Sequence, residues 1–239
     1  MNVMDASELY DPEFRKLIHS KEPTVIIPIG SIEQHGAHLP ITTDSDIVTE
    51  IASRLAKKCG FIVLPTISYG ISVEHSPFFN ASVTERAFEG YICALASLLY
   101  FSNGIKSLVF LNGHHGNVDS LDALTLNKLT KNKGGHLAWK QYSYWHFMKH
   151  EFDHAGFVET SIMLAISDKV KMKKAKKGFT TEGLSEKEIQ RINKLSTQPG
   201  GFPKVAKNGV WGDPTGATKK DGEKFLAEIV RNLAKECQS

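Results

Sequence analysis

Apolar residues in this chain occur in two patterns: short unbroken blocks, and longer stretches in which they recur every third or fourth position. Thr24–Ile29 (TVIIPI) is almost wholly apolar and rich in β-branched residues, as a strand buried on both faces must be. Residues 61–64 and 107–111 repeat that pattern, and 136–142 read as a fourth strand. Between the strands the period changes. Ile47, Val48, Ile51 and Leu55 recur at helical spacing behind the cap-forming residues 43–46, and Gly60 supplies a stop. Residues 84–103 predict a helix that is apolar through most of its turns, and therefore well buried, ending at Asn103-Gly104. A further helix is predicted over 118–131, closed by Gly134-Gly135, with others at 7–20, 158–167 and 221–236. Residues 65–81 keep neither period and predict a long loop carrying Tyr69, Glu74, His75, Phe78 and Phe79; such loops inside a compact domain are usually functional or mobile. Residues 169–218 are polar, rich in Lys, Gly and Pro, and support no assignment.

Strand, loop and helix alternate three times, which predicts an α/β fold: a mostly parallel sheet with helices on both faces. No linker-like segment divides the 239 residues, so a single domain over 1–239 is expected. In such sheets ligands sit beyond the carboxyl ends of the strands. The formal net charge of +3 is too small to imply a polyanionic partner, and most of the lysine excess lies in one stretch without interleaved aromatics, which argues against nucleic acid. No apolar run is long enough for a membrane span, and the acidic N-terminus lacks the order of a signal peptide, so a cytoplasmic location is expected. Cys59, Cys93 and Cys237 are scattered and suggest neither disulfides nor a thiolate zinc site.

Chemistry concentrates at 27–46, IPIGSIEQHGAHLPITTDSD, which places Glu33, His35, His38, Asp44 and Asp46 directly after the first buried strand. If the backbone stays extended, Glu33 and His35 leave it on the same side and can meet one ion. LNGHHGN (111–117) adds His114 and His115 after another strand, and HAGFVETS (154–161) adds His154 and Glu159. Alone, each has a plainer reading: a solvated loop carboxylate, a satisfied core histidine, or, for Glu159, a helix first turn. Together, at the ligand-binding edge of one sheet, they point to a metal site lined by carboxylates and imidazoles. Such a donor set suits zinc, manganese or iron. Gly113 and Gly116 read as a tight turn or as a close approach of backbone to ligand. The run KMKKAKKG (171–178) reads as a solvated surface or an anion-attracting patch.

SIEQHG-x-HLP followed by TDSD, then NGHHGN, HAG-x-x-ETS and NGVWGDPTGAT (208–218) resemble the creatininase family of metal-dependent amidohydrolases, in this order and over nearly the whole chain. The resemblance implies a three-layer α/β/α sandwich, two divalent metal ions per chain, hydrolysis of an amide carbon–nitrogen bond other than a peptide bond, and a homo-oligomer, frequently a hexamer built as a trimer of dimers. It implies Glu33, His35, Asp44 and His114 as metal ligands, with Asp44 bridging, Glu159 completing the site and His154 acting on substrate. His154 and Glu159 are both candidates for protonating the leaving nitrogen. A carboxylate-bridged ion pair lowers the pKa of a shared water and polarises an amide carbonyl. Three features depart from the pattern. Creatininase has a glutamate ligand where this chain has Gly116, so that ligand must come from elsewhere, with Glu159 the candidate. Phe78, Phe79, Asn80 and Ala81 replace the usual Phe-Pro-Gly-Thr stretch, and Phe157 replaces an acidic residue. These changes, with the lysines at 171, 173, 174, 176 and 177, rank a formamide or similar amide of a small, anionic metabolite above creatinine, and a precursor peptide third. A binding protein with a relic metal site is the non-enzymatic alternative, disfavoured because the main ligand positions are filled.

Overall fold

A computed structural model describes residues 4–126 and 136–238. Its described strands are β1 (Met4–Asp5), β2 (Thr24–Ile29), β3 (Ile62–Val63), β4 (Ser107–Asn112) and β5 (Ala138–Ser143), all parallel, in the order β1-β3-β2-β4-β5. The described α-helices are α1 (Asp11–Lys21), α2 (Thr43–Cys59), α3 (Glu85–Phe101), α4 (Val118–Asp122), α5 (Phe157–Ile166), α6 (Glu186–Ser196), α7 (Phe202–Val205) and α8 (Lys219–Gln238). No described helix is long and apolar enough to cross a membrane.

The period of two along the central strands divides the core into two halves. Ile26, Val109 and Leu111 face one way and pack with Ile47, Val48 and Ile51 of α2, Val158 and Ile162 of α5, and Leu226 and Ile229 of α8. Val25, Ile27, Leu108 and Phe110 face the other way, against Ile18 of α1 and Phe88, Ile92 and Ala96 of α3. The result is the expected three-layer α/β/α sandwich. Phe110 is fully buried, sits opposite Ile27 in the β2–β4 ladder and meets Trp139 edge-on at 6.4 Å. Phe110→Ala is therefore expected to destabilise the fold by about 3–5 kcal/mol, measured as the shift in a urea unfolding midpoint.

Several elements differ from expectation. The α3 helix is not well buried: it meets the sheet through one stripe, and Tyr91, Leu98 and Phe101 are exposed, because an outer-layer helix has only one partner. The second strand shrinks to Ile62–Val63. Of the helix predicted over 118–131, α4 covers Val118–Asp122, and residues 127–131 and the Gly134-Gly135 stop lie outside the described residues. Residues 65–81 include a single 3-10 turn, Val73–His75, and pair with the 27–46 stretch through an Asn80–Glu33 bridge. Residues 169–218 contain α6, opened by a Ser185/Glu188 capping box, and α7, and Trp211 in this segment bridges to both His154 and Phe179. As expected, α2 ends at Gly60, whose φ of 75° is the left-handed conformation that glycine adopts at little steric cost.

Candidate metal centre

Beyond the carboxyl ends of β2 and β4, the polypeptide delivers its acidic and imidazole side chains to one place. Glu33 follows β2 and is pinned by its backbone N–H, which donates to the Ile41 carbonyl at 2.9 Å. His35, two residues on, turns into the same cluster, as an extended backbone predicts. Asp44 projects from the first turn of α2. That turn lies so close to β4 that a Cβ on Gly113 would come within 2.8 Å of the Asp44 carbonyl and 2.7 Å of the Val48 Cβ. The absent side chain at position 113 is thus what lets Asp44 stand opposite His114. Gly113 and Gly116 are not among the positive-φ residues, so both serve close approach and not a left-handed turn. Glu159 comes from the first turn of α5, where its Oε2 accepts the Ala155 N–H at 2.6 Å and Asp153 accepts the Val158 N–H at 2.9 Å.

The two carboxylate oxygens of Asp44 face different imidazoles. Oδ1 lies 3.1 Å from His35 Nε2, and Oδ2 lies 3.0 Å from His114 Nδ1. On the His35 side, Glu159 Oε2 is 3.6 Å from the same Nε2. On the His114 side, Glu33 Oε2 and Glu74 Oε1 lie 3.4 and 3.5 Å from His114 Nε2. Glu33 Oε1 points to His75 Nε2 at 3.0 Å and to His154 Nδ1 at 3.8 Å. Ligand atoms of Glu33, His35 and Asp44, and of Glu33, Glu74 and His114, are close enough to share an ion, as are those of His35, His154 and Glu159.

Electrostatics explain why such a cluster needs positive charge. Burial disfavours a charged His35, yet Asp44, with Glu159 and Glu33, outweighs it and pushes the imidazole up to about 10. His114 is held well above the usual imidazole value against its burial by Glu33, Asp44 and Glu74. Burial likewise opposes ionisation of Asp44, but His35 and His114 hold its carboxyl well below the usual range. Burial pushes Glu159 up to about 8, with His35 opposing and the nearby Asp44 charge adding to the rise. A divalent ion would take over the balancing role, because imidazole ligands bind only once deprotonated. The donor set fits one: Glu33 Oε1, Asp44 Oδ2 and Glu159 Oε1 are buried without a hydrogen-bond partner, despite the short approaches of two of them to imidazole nitrogens. Carboxylate and imidazole donors without thiolates suit zinc, manganese or iron.

Of the residues singled out by sequence, Glu33, His35, Asp44, His114, His154 and Glu159 converge. Three others do not join the cluster. His38 is buried in the core with Nε2 2.9 Å from the Thr160 hydroxyl and Nδ1 without a hydrogen-bond partner, its imidazole driven down to about 4 by burial and the neighbouring His35. Asp46 accepts the Thr42 hydroxyl at 3.0 Å at the start of α2. His115 lies at the cavity wall, stacked on Trp145 at a centroid distance of 6.0 Å. Sequence reasoning assigned no site role to Glu74 and His75, although an adjacent acid and imidazole inside a long aperiodic loop were the available signal. It also missed Phe202, whose ring lies 4.4 Å from His75 and 4.8 Å from His154, and Trp211, 6.5 Å from Phe202.

These side chains surround a cavity of about 460 Å³. Its floor is Glu33, Asp44, Glu74, His114 and Glu159; Phe152, Phe202 and Trp211 form apolar walls, and α6 contributes Ile189 and Asn193 at the far side. Among the described residues, no lysine or arginine lines it.

Known proteins resemble this chain in sequence and in fold. A family profile described as creatinine amidohydrolase (creatininase) matches residues 7–237. The mycofactocin precursor peptide peptidase of Mycolicibacterium smegmatis is 34% identical over 224 residues, covering 91% of this chain and 85% of that protein. The creatinine amidohydrolase of Pseudomonas putida is 26% identical over 185 residues, 66% of this chain and 70% of that one. A solved structure described as Creatininase Mn has the same fold, with a TM-score of 0.82 at 22% identity over 98% of this chain and 97% of that one. The chain belongs to the creatininase family of metal-dependent amidohydrolases.

Proposed function

We propose that this chain hydrolyses an amide bond in a peptide, using two divalent ions held by Glu33, His35, Asp44, His114 and Glu159. The cavity carries the reading. At about 460 Å³, with aromatic walls and a far side built from α6, it is of the size that holds a drug-sized ligand or a short peptide, and larger than a single small ring needs. Similarity to a precursor peptide peptidase over most of both chains supports the same choice.

The formamide of an anionic metabolite, ranked first from sequence, finds little support in this cavity. Lys171, Lys173, Lys174, Lys176 and Lys177 are exposed and none lines the cavity; Lys177 lies 3.8 Å from Glu182. The carboxylates of the centre would be balanced by the ions they hold, and the remaining lining carboxylates, Glu151 and Asp153, offer an anionic substrate no counter-charge.

Divalent ions at this centre supply Lewis acidity toward the amide carbonyl and lower the pKa of a water. The chain's own groups do the rest. His154 Nε2 lies 3.1 Å from both the Gln34 backbone carbonyl, an acceptor, and the Gln34 side-chain amide nitrogen, a donor, while Nδ1 faces Glu33 Oε1 at 3.8 Å. Burial, with His35 and His75 nearby, holds this imidazole well below its usual value, so it is neutral in the resting site. It is the group placed to take the proton of the attacking water and to return it to the leaving nitrogen. Phe202 and Trp211 exclude water around it.

Metal-loaded protein incubated with short peptides, formamides and creatinine, and analysed by mass spectrometry, tests the proposal. Peptide cleavage that stops on chelation is the expected result. Turnover of a formamide or of creatinine at a rate matching or exceeding that of every peptide would overturn it.

A further inference from the structure

The resemblance in sequence implies a glutamate ligand at the position of Gly116, and Glu159, the sequence-based replacement, faces the other imidazole: it approaches His35 at 3.6 Å, not His114. The His114 side has another carboxylate. A Cβ built on Gly116 would fall 2.6 Å from Glu74 Oε1 and 2.6 Å from His114 Nε2, so Glu74 occupies the space into which a side chain at 116 would project. The same Cβ would lie 2.2 Å from the Ile71 carbonyl oxygen, which means the 65–81 loop and a side chain at 116 exclude one another.

That loop is fastened to the strand ends beneath it. Asn117 Oδ1 accepts the Ile71 N–H at 2.9 Å while its Nδ2 donates to the Gly30 carbonyl at 3.1 Å, and the His75 N–H closes a turn on the Ser72 carbonyl at 3.2 Å. Glu74 is consequently buried at a fixed position, 3.5 Å from His114 Nε2, with its ligand atom in reach of those of Glu33 and His114. The fully buried Glu33 Oε1 and Asp44 Oδ2 lack hydrogen-bond partners beside it.

We infer that Glu74 is a metal ligand of this chain, completing with Glu33 and His114 the ion position on that side of Asp44, and that Gly116 is the vacancy in sequence that makes room for it. This rests on the two-ion centre proposed above but not on the identity of the substrate. His114 Nε2 also lies 2.7 Å from the Ile71 carbonyl, so ligation through that nitrogen replaces a hydrogen bond to the same loop.

The test reads metal and not turnover. Wild-type protein, Glu74→Gln and Gly116→Ala are stripped with chelator, titrated with Zn²⁺ and with Co²⁺, and followed by elemental analysis, the cobalt d–d spectrum and melting temperature. Glu74→Gln keeps size and burial but loses the anionic donor. It is expected to bind one ion as wild type does and the other on the order of 100-fold more weakly, with an altered cobalt spectrum. Its metal-free form is expected to fold but to melt somewhat below the wild-type metal-free temperature, because His114 loses the carboxylate 3.5 Å from its Nε2. Gly116→Ala is expected to weaken the same ion by displacing Glu74. Two tightly bound ions with an unchanged cobalt spectrum in Glu74→Gln would overturn the assignment. A wild-type chain that binds fewer than two ions would overturn it together with the centre it rests on.

Discussion

Asp44→Ala is expected to release both ions and to lower kcat/KM by roughly 10³-fold or more, equivalent to about 4 kcal/mol of lost transition-state stabilisation. The prediction rests on the two-sided position of this carboxylate: Oδ1 lies 3.1 Å from His35 Nε2, and Oδ2 lies 3.0 Å from His114 Nδ1, where it holds the imidazole that presents Nε2 to Glu33 and Glu74. Removing His35 or His114 leaves the opposite side with its own donors, so His35→Ala and His114→Ala should each mainly weaken one ion. Elemental analysis separates the cases. Asp44→Ala protein that retained two ions per chain would show that the shared carboxylate is not Asp44. The apo fold is expected to survive, since Asp44 sits in the first turn of α2 and the helix is anchored further along by Ile47, Val48, Ile51 and Leu55, all buried.

What the sequence made legible followed from local rules. The two central strands are continuous apolar blocks because both of their faces are covered, and the α2 period ends at a glycine whose conformation suits a helix end. Glu33, His35, Asp44 and His114 could be read as a group because they emerge directly at strand ends or at the helix start that follows. What was not legible depends on contacts distant in sequence. The position of Glu74 is set by Asn117 and by the absence of a side chain at 116, neither of which any period within 65–81 encodes. Phe202 and Trp211 reach the cavity because their polar, lysine-rich segment folds over it through the Trp211–His154 bridge.

Two readings failed for the opposite reason, because a local signal was answered by tertiary packing. His38 has the spacing of a second imidazole in the 27–46 stretch, but α5 presents Thr160 to it and turns it into structural support. The apolar turns of α3 suggested burial, yet a helix on the outer layer meets the sheet along one stripe only, leaving Leu98 and Tyr91 exposed. Composition measures how much apolar surface an element has, whereas burial depends on how many neighbours it meets.

His154→Ala is expected to lower kcat by about 10²–10⁴-fold, the range for removal of a general acid–base group, with the metal content unchanged. The imidazole is positioned by structure on every side: its backbone exchanges hydrogen bonds with Trp211 at 3.0 and 2.8 Å, Nε2 sits between the Gln34 backbone carbonyl and side-chain amide, and Phe202 covers the ring. Only Nδ1 is turned toward Glu33 and the cavity, at 3.8 Å from Oε1. Burial first, and then His35 and His75, hold the ring neutral in the resting site, the form from which a base acts. His154→Gln, which preserves much of the volume but cannot shuttle a proton, should be impaired to a similar degree, while KM changes little. If either variant lost an ion along with its activity, His154 would belong among the ligands, as its proximity to His35 and Glu159 allows. If both kept wild-type kcat, proton transfer would have to pass through Glu159 or His75 instead.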